Sequence, residues 1–112
     1  MTAELTEREY REGNGIEIAF YDKGTCIGQA GVVGYKGKSN SFLFNLEVQE
    51  VCRGQGYGAA IVAYMIEKYD VRYLYVEKDN KVAIKLYKKI GFEEIFSFEN
   101  FLEMERLLND KT

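Results

Sequence analysis

The stretch Val51-Cys-Arg-Gly-Gln-Gly-Tyr-Gly-Ala-Ala60 carries glycine at three alternate positions, Gly54, Gly56 and Gly58. It joins a segment with the two-residue period of a strand to one with the period of a helix. The first N–H groups of a helix have no intrahelical partner and sit at the positive end of its dipole. A turn this poor in side chains can therefore hold an anion against bare backbone. The anion expected here is a pyrophosphate.

Before the turn, residues 16–21 read as a strand, 22–24 as a turn and 26–35 as a second strand, which makes a hairpin. Residues 36–40 turn again, and 41–48 form a third strand expected to place Phe42, Phe44, Leu46 and Val48 on one face. Three strands thus precede the glycine turn as an antiparallel meander. Thr6 and Glu9 have the spacing of a capping box, so residues 1–14, which end in a breaker cluster, are read as a short N-terminal segment with at most one helix.

After the turn, Ile61, Val62, Met65, Ile66 and Tyr69 recur on one helical face up to about Asp70. Residues 71–76 are rich in aromatic and branched side chains and read as a strand, so the helix is a crossover to a parallel neighbour. Asp79 or Asn80 caps a second helix whose stripe is Val82, Ala83, Leu86, Tyr87 and Ile90, with Gly91 as its stop. Residues 92–98 and 101–107 are two last strands around a turn at Glu99 and Asn100. The fold class is α+β: a mixed, mostly antiparallel central sheet with helices on its faces. With 112 residues and no repeat or linker, the chain is read as one domain, 1–112.

Composition narrows the chemistry. The chain has no histidine, which removes the usual general base, the usual zinc ligand and any Ser–His or Cys–His pair. Cys26 and Cys52 lack metal-ligand spacing and are read as free thiols, so no metal site is expected. A net charge of −3 argues against nucleic acid as a partner, because neutralising phosphates takes clustered basic residues. No apolar run approaches the roughly 18–20 residues of a membrane span, and the start of the chain is acidic and polar, so neither membrane nor secretion is expected and the cytoplasm is the default.

Three kinds of anion turn compete at residues 51–60. A Walker-type loop needs Lys and Ser or Thr after its last glycine, where Ala59 and Ala60 stand. The dinucleotide fingerprint fits formally at Gly54, Gly56 and Ala59, but it belongs at the opening of a parallel sheet rather than after a meander. The third pattern is Arg53-x-x-Gly56-x-Gly58. Preceded by Leu46-x-Val48, it resembles the acetyl-CoA signature of the GNAT superfamily of N-acetyltransferases. Asn80-x-x-Ala83-x-x-x-Tyr87-x-x-x-Gly91-Phe92 is similar to that family's second motif, and Gly28 and Met104-Glu105 also match.

The resemblance implies a GNAT-type acyltransferase that binds acetyl-CoA and acetylates an amine by direct attack. It implies that the backbone of Arg53, Gly54, Gln55, Gly56, Tyr57, Gly58 and Ala59 receives the pyrophosphate. Leu46 and Val48 offer backbone to the pantetheine arm, and Asn80 lies near it. Tyr87 takes the place of the acid that protonates the departing thiolate, though its position on the apolar stripe also suits a core aromatic. The base position of some relatives falls on Tyr75, which leaves Glu47 and Glu77 as the nearest carboxylates; Cys52 is not needed as a nucleophile. Typical members place a strand and two helices before the hairpin, and only 14 residues precede Gly15 here. The N-terminal helical pair is thus reduced or absent, and an open acceptor site, a homodimeric partner completing its wall, or a non-catalytic acyl-CoA-binding or regulatory module are the readings that follow.

Overall fold

The computed structural model describes the backbone of residues 5–12, 15–35 and 38–107, with side chains described at 15–34 and 42–107. The chain divides into two compact units, Met1–Val71 and Arg72–Thr112.

The first unit is a meander of four strands, β1 (Leu5–Glu12), β2 (Gly15–Asp22), β3 (Thr25–Tyr35) and β4 (Lys38–Val48), each antiparallel to the next. Helix α1 (Tyr57–Tyr69) follows β4 through a 3-10 turn at Glu50–Cys52. The segment carrying Thr6 and Glu9 is therefore a strand and not a short helix. Its eight residues pair one for one with β2, from Leu5 opposite Asp22 to Glu12 opposite Gly15. The ladder to β2 gives this edge strand continuous pairing along one side, whereas an isolated eight-residue helix is marginal, so pairing overrides the capping signal. Among the described residues no helix precedes β2; the breakers at 13–14 and 36–37 lie outside them.

One face of this meander is built by Ile16, Ile18 and Phe20 of β2, Ala30 and Val32 of β3 and Leu43 of β4, all buried. Against it α1 sets Ile61, Val62 and Met65, which are fully covered, and Tyr64 meets Phe20 edge-on at 5.3 Å between ring centroids. Each such side chain contributes about 1.5–3 kcal/mol by leaving water. The strict alternation expected from Phe42 to Val48 fails. Gln29 faces Glu47 but Gly31 faces Phe44, so β4 carries one extra residue at a bulge where Asn45 has φ +54°. Phe42 and Phe44 consequently lie on the face opposite Leu43 and Val48, the Phe44 ring filling the place a side chain at Gly31 would take.

Gly28 is required by close approach. A Cβ there would lie 2.5 Å from the Glu47 carbonyl oxygen and 3.0 Å from Ile61 Cδ1. Backbone cannot yield as a flexible side chain would, so Gly28→Ala is expected to cost about 1–3 kcal/mol. A lower denaturant midpoint would show it, and an unchanged midpoint would mean that β4 retreats freely.

The second unit holds β5 (Tyr73–Glu77), α2 (Lys81–Ile90), β6 (Phe92–Ser97) and β7 (Phe101–Arg106), with β7 between β5 and β6 and antiparallel to both. Leu74, Val76, Leu102, Met104 and Phe92 are buried on the side that α2 covers with Ile84 and Tyr87. Val82, assigned to the apolar stripe from sequence, is 83% exposed. Two residues turn a helix by about 200°, so a face centred on Ile84 points Val82 outward. The class is α+β with mainly antiparallel strands.

Candidate active site

The glycine turn joins β4 to α1 within the first unit. Gln49 N–H donates to the Ile27 carbonyl at 2.8 Å as β4 ends, and Arg53 Nε donates to the Val48 carbonyl at 3.0 Å. Gly54 and Gly56 both take positive φ, +80° and +84°, which only glycine adopts freely. Gly56 is the N-cap of α1 and offers no side-chain cap to the N–H groups that follow. Arg53, Gly54, Gln55, Gly56 and Ala59 are exposed, and a Cβ on Gly54 would meet no atom within 4 Å. Uncapped donors, positive helix end and room beside the backbone fit a pyrophosphate.

Tyr57, the first residue of α1, donates its hydroxyl to Asp22 Oδ2 at 2.5 Å. That bond is the leading reason the phenol is held above its usual range. Upstream, Leu46 and Val48 are half-buried, while Glu47 is exposed opposite Gln29. Cys52 and Cys26 are unbridged, half-buried thiols.

The second unit carries the other expected site residues. Asn80, rather than Asp79, is the N-cap of α2, its Oδ1 accepting from Ala83 N–H at 3.2 Å. Tyr87 stands two turns along the helix, 5% exposed and edge-on to Phe92 at 5.9 Å. Burial pushes its phenol up to about 12, so the proton stays on oxygen throughout the neutral range. Glu77 is exposed and lines a cavity of about 450 Å³ with Lys78, Asp79, Glu99, Asn100 and Phe101. Tyr75, at the base position of some relatives, is 44% exposed and packs on Phe101 and Phe98, centroids 5.0 and 6.1 Å away.

Two features escaped the sequence reading. Asp22 appeared only as a turn residue, because its partner is 35 positions away. Glu103 is 3% exposed, although alternation along β7 gives it to the side opposite Leu102 and Met104. Tyr75 and Phe96 flank it in register, and that side also carries Phe101, stacked on Phe98 at 4.7 Å. The unusual density of aromatics in residues 92–101 was the one available signal.

Residues 2–92 match the profile of the acetyltransferase (GNAT) family. Curated proteins yield no significant match. Among solved structures, Campylobacter jejuni N-acetyltransferase PseH in complex with acetyl coenzyme A superposes with a TM-score of 0.66 at 22% identity, covering 88% of this chain and 71% of that one. Escherichia coli ribosomal-protein-S18-alanine N-acetyltransferase gives 0.69 at 19% identity over 91% and 76% of the two chains. A Klebsiella pneumoniae protein described as a candidate acyl-CoA N-acyltransferase gives 0.75 at 16% identity over 94% and 98%. The likeness to these structures shows a shared fold. The match over most of its length places the chain in the GNAT family of N-acetyltransferases, whose cofactor is acetyl-CoA.

Proposed function

We propose that this chain, acting as one domain over residues 1–112, moves the acetyl group of acetyl-CoA to a primary amine of a small molecule or protein, by direct attack of the neutral amine. The observation that carries this reading is the uncapped start of α1 behind Gly54 and Gly56, with backbone donors and open space at the turn that resembles the family's cofactor signature.

Bound acetyl-CoA supplies an activated acetyl thioester. The chain's own residues do the rest. Backbone N–H groups of residues 53–59 receive the pyrophosphate, with Leu46 and Val48 offering main-chain partners to the arm beyond it. An alkylammonium has a pKa near 10.4 and must lose a proton before it can attack, so a base is needed at the acceptor, a glutamate or a water bound to one. Glu77 is favoured over Glu47 because it lines a cavity with polar walls. Tyr87 Oη holds the proton destined for the thiolate, and Asn80 fixes the start of the helix that carries it. Desolvation raises the phenol, and it raises a thiolate beside it for the same reason, so the driving force between them survives burial.

No helix among the described residues is long and apolar enough to cross a membrane. The cytoplasm, and a second copy of the chain beside the acceptor, belong to the same reading. The test is incubation with acetyl-CoA and a panel of amines and peptides while free thiol is followed. Thiol release above hydrolysis is expected with at least one acceptor. Tight acetyl-CoA binding by calorimetry with no release for any acceptor would instead indicate an acyl-CoA-binding or regulatory module.

A further inference from the structure

An acidic side chain beside an anion seat is unfavourable unless it serves another purpose. Asp22 ends β2, opens the turn at Lys23 and Gly24, and reaches Tyr57 at the first position of α1, directly after the glycines. The glycine turn is fastened elsewhere at its entry, by Gln49 to Ile27 and by Arg53 to Val48. Between Arg53 and α1 it consists of Gly54, Gln55 and Gly56, all exposed and two of them at positive φ. Such a segment has many alternatives to its folded shape, and a cofactor that binds only one shape must bear the cost of selecting it. Helix α1 packs on the sheet further along, through Ile61, Val62 and Met65, and the Tyr57 hydroxyl adds a polar tie to the sheet at the exit of the turn itself.

We propose that Asp22 is a positioning residue for the cofactor turn: by accepting the Tyr57 hydroxyl, it holds the start of α1, and with it the backbone donors of residues 54–58, in the arrangement that receives the pyrophosphate. The proposal rests on the acetyl-CoA reading above and adds to it a residue outside the glycine motif. A hydrogen bond to a carboxylate is among the stronger side-chain bonds, and this one closes a span of 35 residues. The phenol is shifted upward, so the donor keeps its proton at neutral pH.

The proposal separates the bond from the charge. Asp22→Asn retains an acceptor oxygen and removes the negative charge, whereas Asp22→Ala and Tyr57→Phe break the bond from its two ends. Acetyl-CoA affinity measured by calorimetry is expected to fall about 3–30-fold in Asp22→Ala and in Tyr57→Phe. In the double variant it falls no further than in the weaker single variant, because both remove one bond. Asp22→Asn stays within about twofold of the parent, or binds more tightly as repulsion is relieved. In turnover, Asp22→Ala raises KM for acetyl-CoA and leaves kcat within about twofold. Amide hydrogen exchange at residues 54–58, read without ligand, quickens in both bond-breaking variants and not in Asp22→Asn.

Unchanged affinity and exchange in Asp22→Ala and Tyr57→Phe, with the parent binding acetyl-CoA, would overturn the positioning role alone. Additive losses in the double variant, or Asp22→Asn as weak as Asp22→Ala, would overturn it as well. A parent protein that does not bind acetyl-CoA would sink the cofactor reading, and this role with it, which calorimetry of the parent shows before any variant is made.

Discussion

Turnover by a Tyr87→Phe variant is expected to fall roughly 10–1000-fold while acetyl-CoA binds as before, in keeping with loss of a general acid. The substitution keeps the ring that meets Phe92 edge-on and deletes the hydroxyl alone. Packing is therefore nearly conserved, and the effect reports on the proton. The same pair of proteins gives a pH test of burial. Tyr87 is raised from 10.0 to about 12 in the folded state, so its neutral form is favoured by folding. That contribution is complete below pH 10 and is lost as pH rises through about 12. Across this window the parent is expected to lose of order 2 kcal/mol more stability than Tyr87→Phe, while the other tyrosines titrate in both and cancel. Denaturant midpoints at about pH 9 and about pH 11.5 would measure it. Unchanged turnover beside the expected pH difference would make Tyr87 a core aromatic only.

The second large effect is at Gly56, where a valine is expected to weaken acetyl-CoA binding about 10–100-fold. Gly56 has φ +84° at the N-cap of α1. A β-branched residue at positive φ is a strong outlier costing about 1–2 kcal/mol or more, and the chain relieves that strain by rotating the backbone back. The rotation re-aims the N–H groups of the residues that follow, which are the proposed donors. Gly54→Ala is the informative control: φ is equally positive at +80°, but the new Cβ meets no atom within 4 Å. It is expected to lose less. Equal and small losses at both positions, by calorimetry, would mean that the pyrophosphate lies elsewhere.

What was legible in the sequence was local. Three alternate glycines, Asn80 three residues before the N–H it accepts from, and Gly91 behind an apolar stripe each carry their instruction within a few positions, and α1 and α2 begin and end within a residue or two of expectation. What was illegible depended on partners far along the chain. β1 has the spacing of a helix start and becomes a strand because β2 lies ready to pair. The bulge at Asn45 reverses which side Phe42 and Phe44 occupy relative to Val48, and no period of two can register one inserted residue. The Asp22–Tyr57 bond and the burial of Glu103 both arise between segments that sequence reading treats separately. The glycine turn's geometry was therefore readable in the sequence, and the carboxylate that bonds to the residue after it was not.

The order of strands in the second unit bears on how the protein is made. β7 follows both β5 and β6 in sequence, yet it lies between them and pairs antiparallel with each. A nascent chain ending near residue 100 holds β6 without the strand it pairs with. Its apolar residues Leu74, Val76 and Phe92 must wait for Leu102 and Met104. The meander of the first unit, pairing each strand with its neighbour in sequence, can assemble while synthesis continues. Premature termination near residue 100 would thus leave the first unit formed and β6 unpaired, a species that quality-control proteases recognise by its exposed strand.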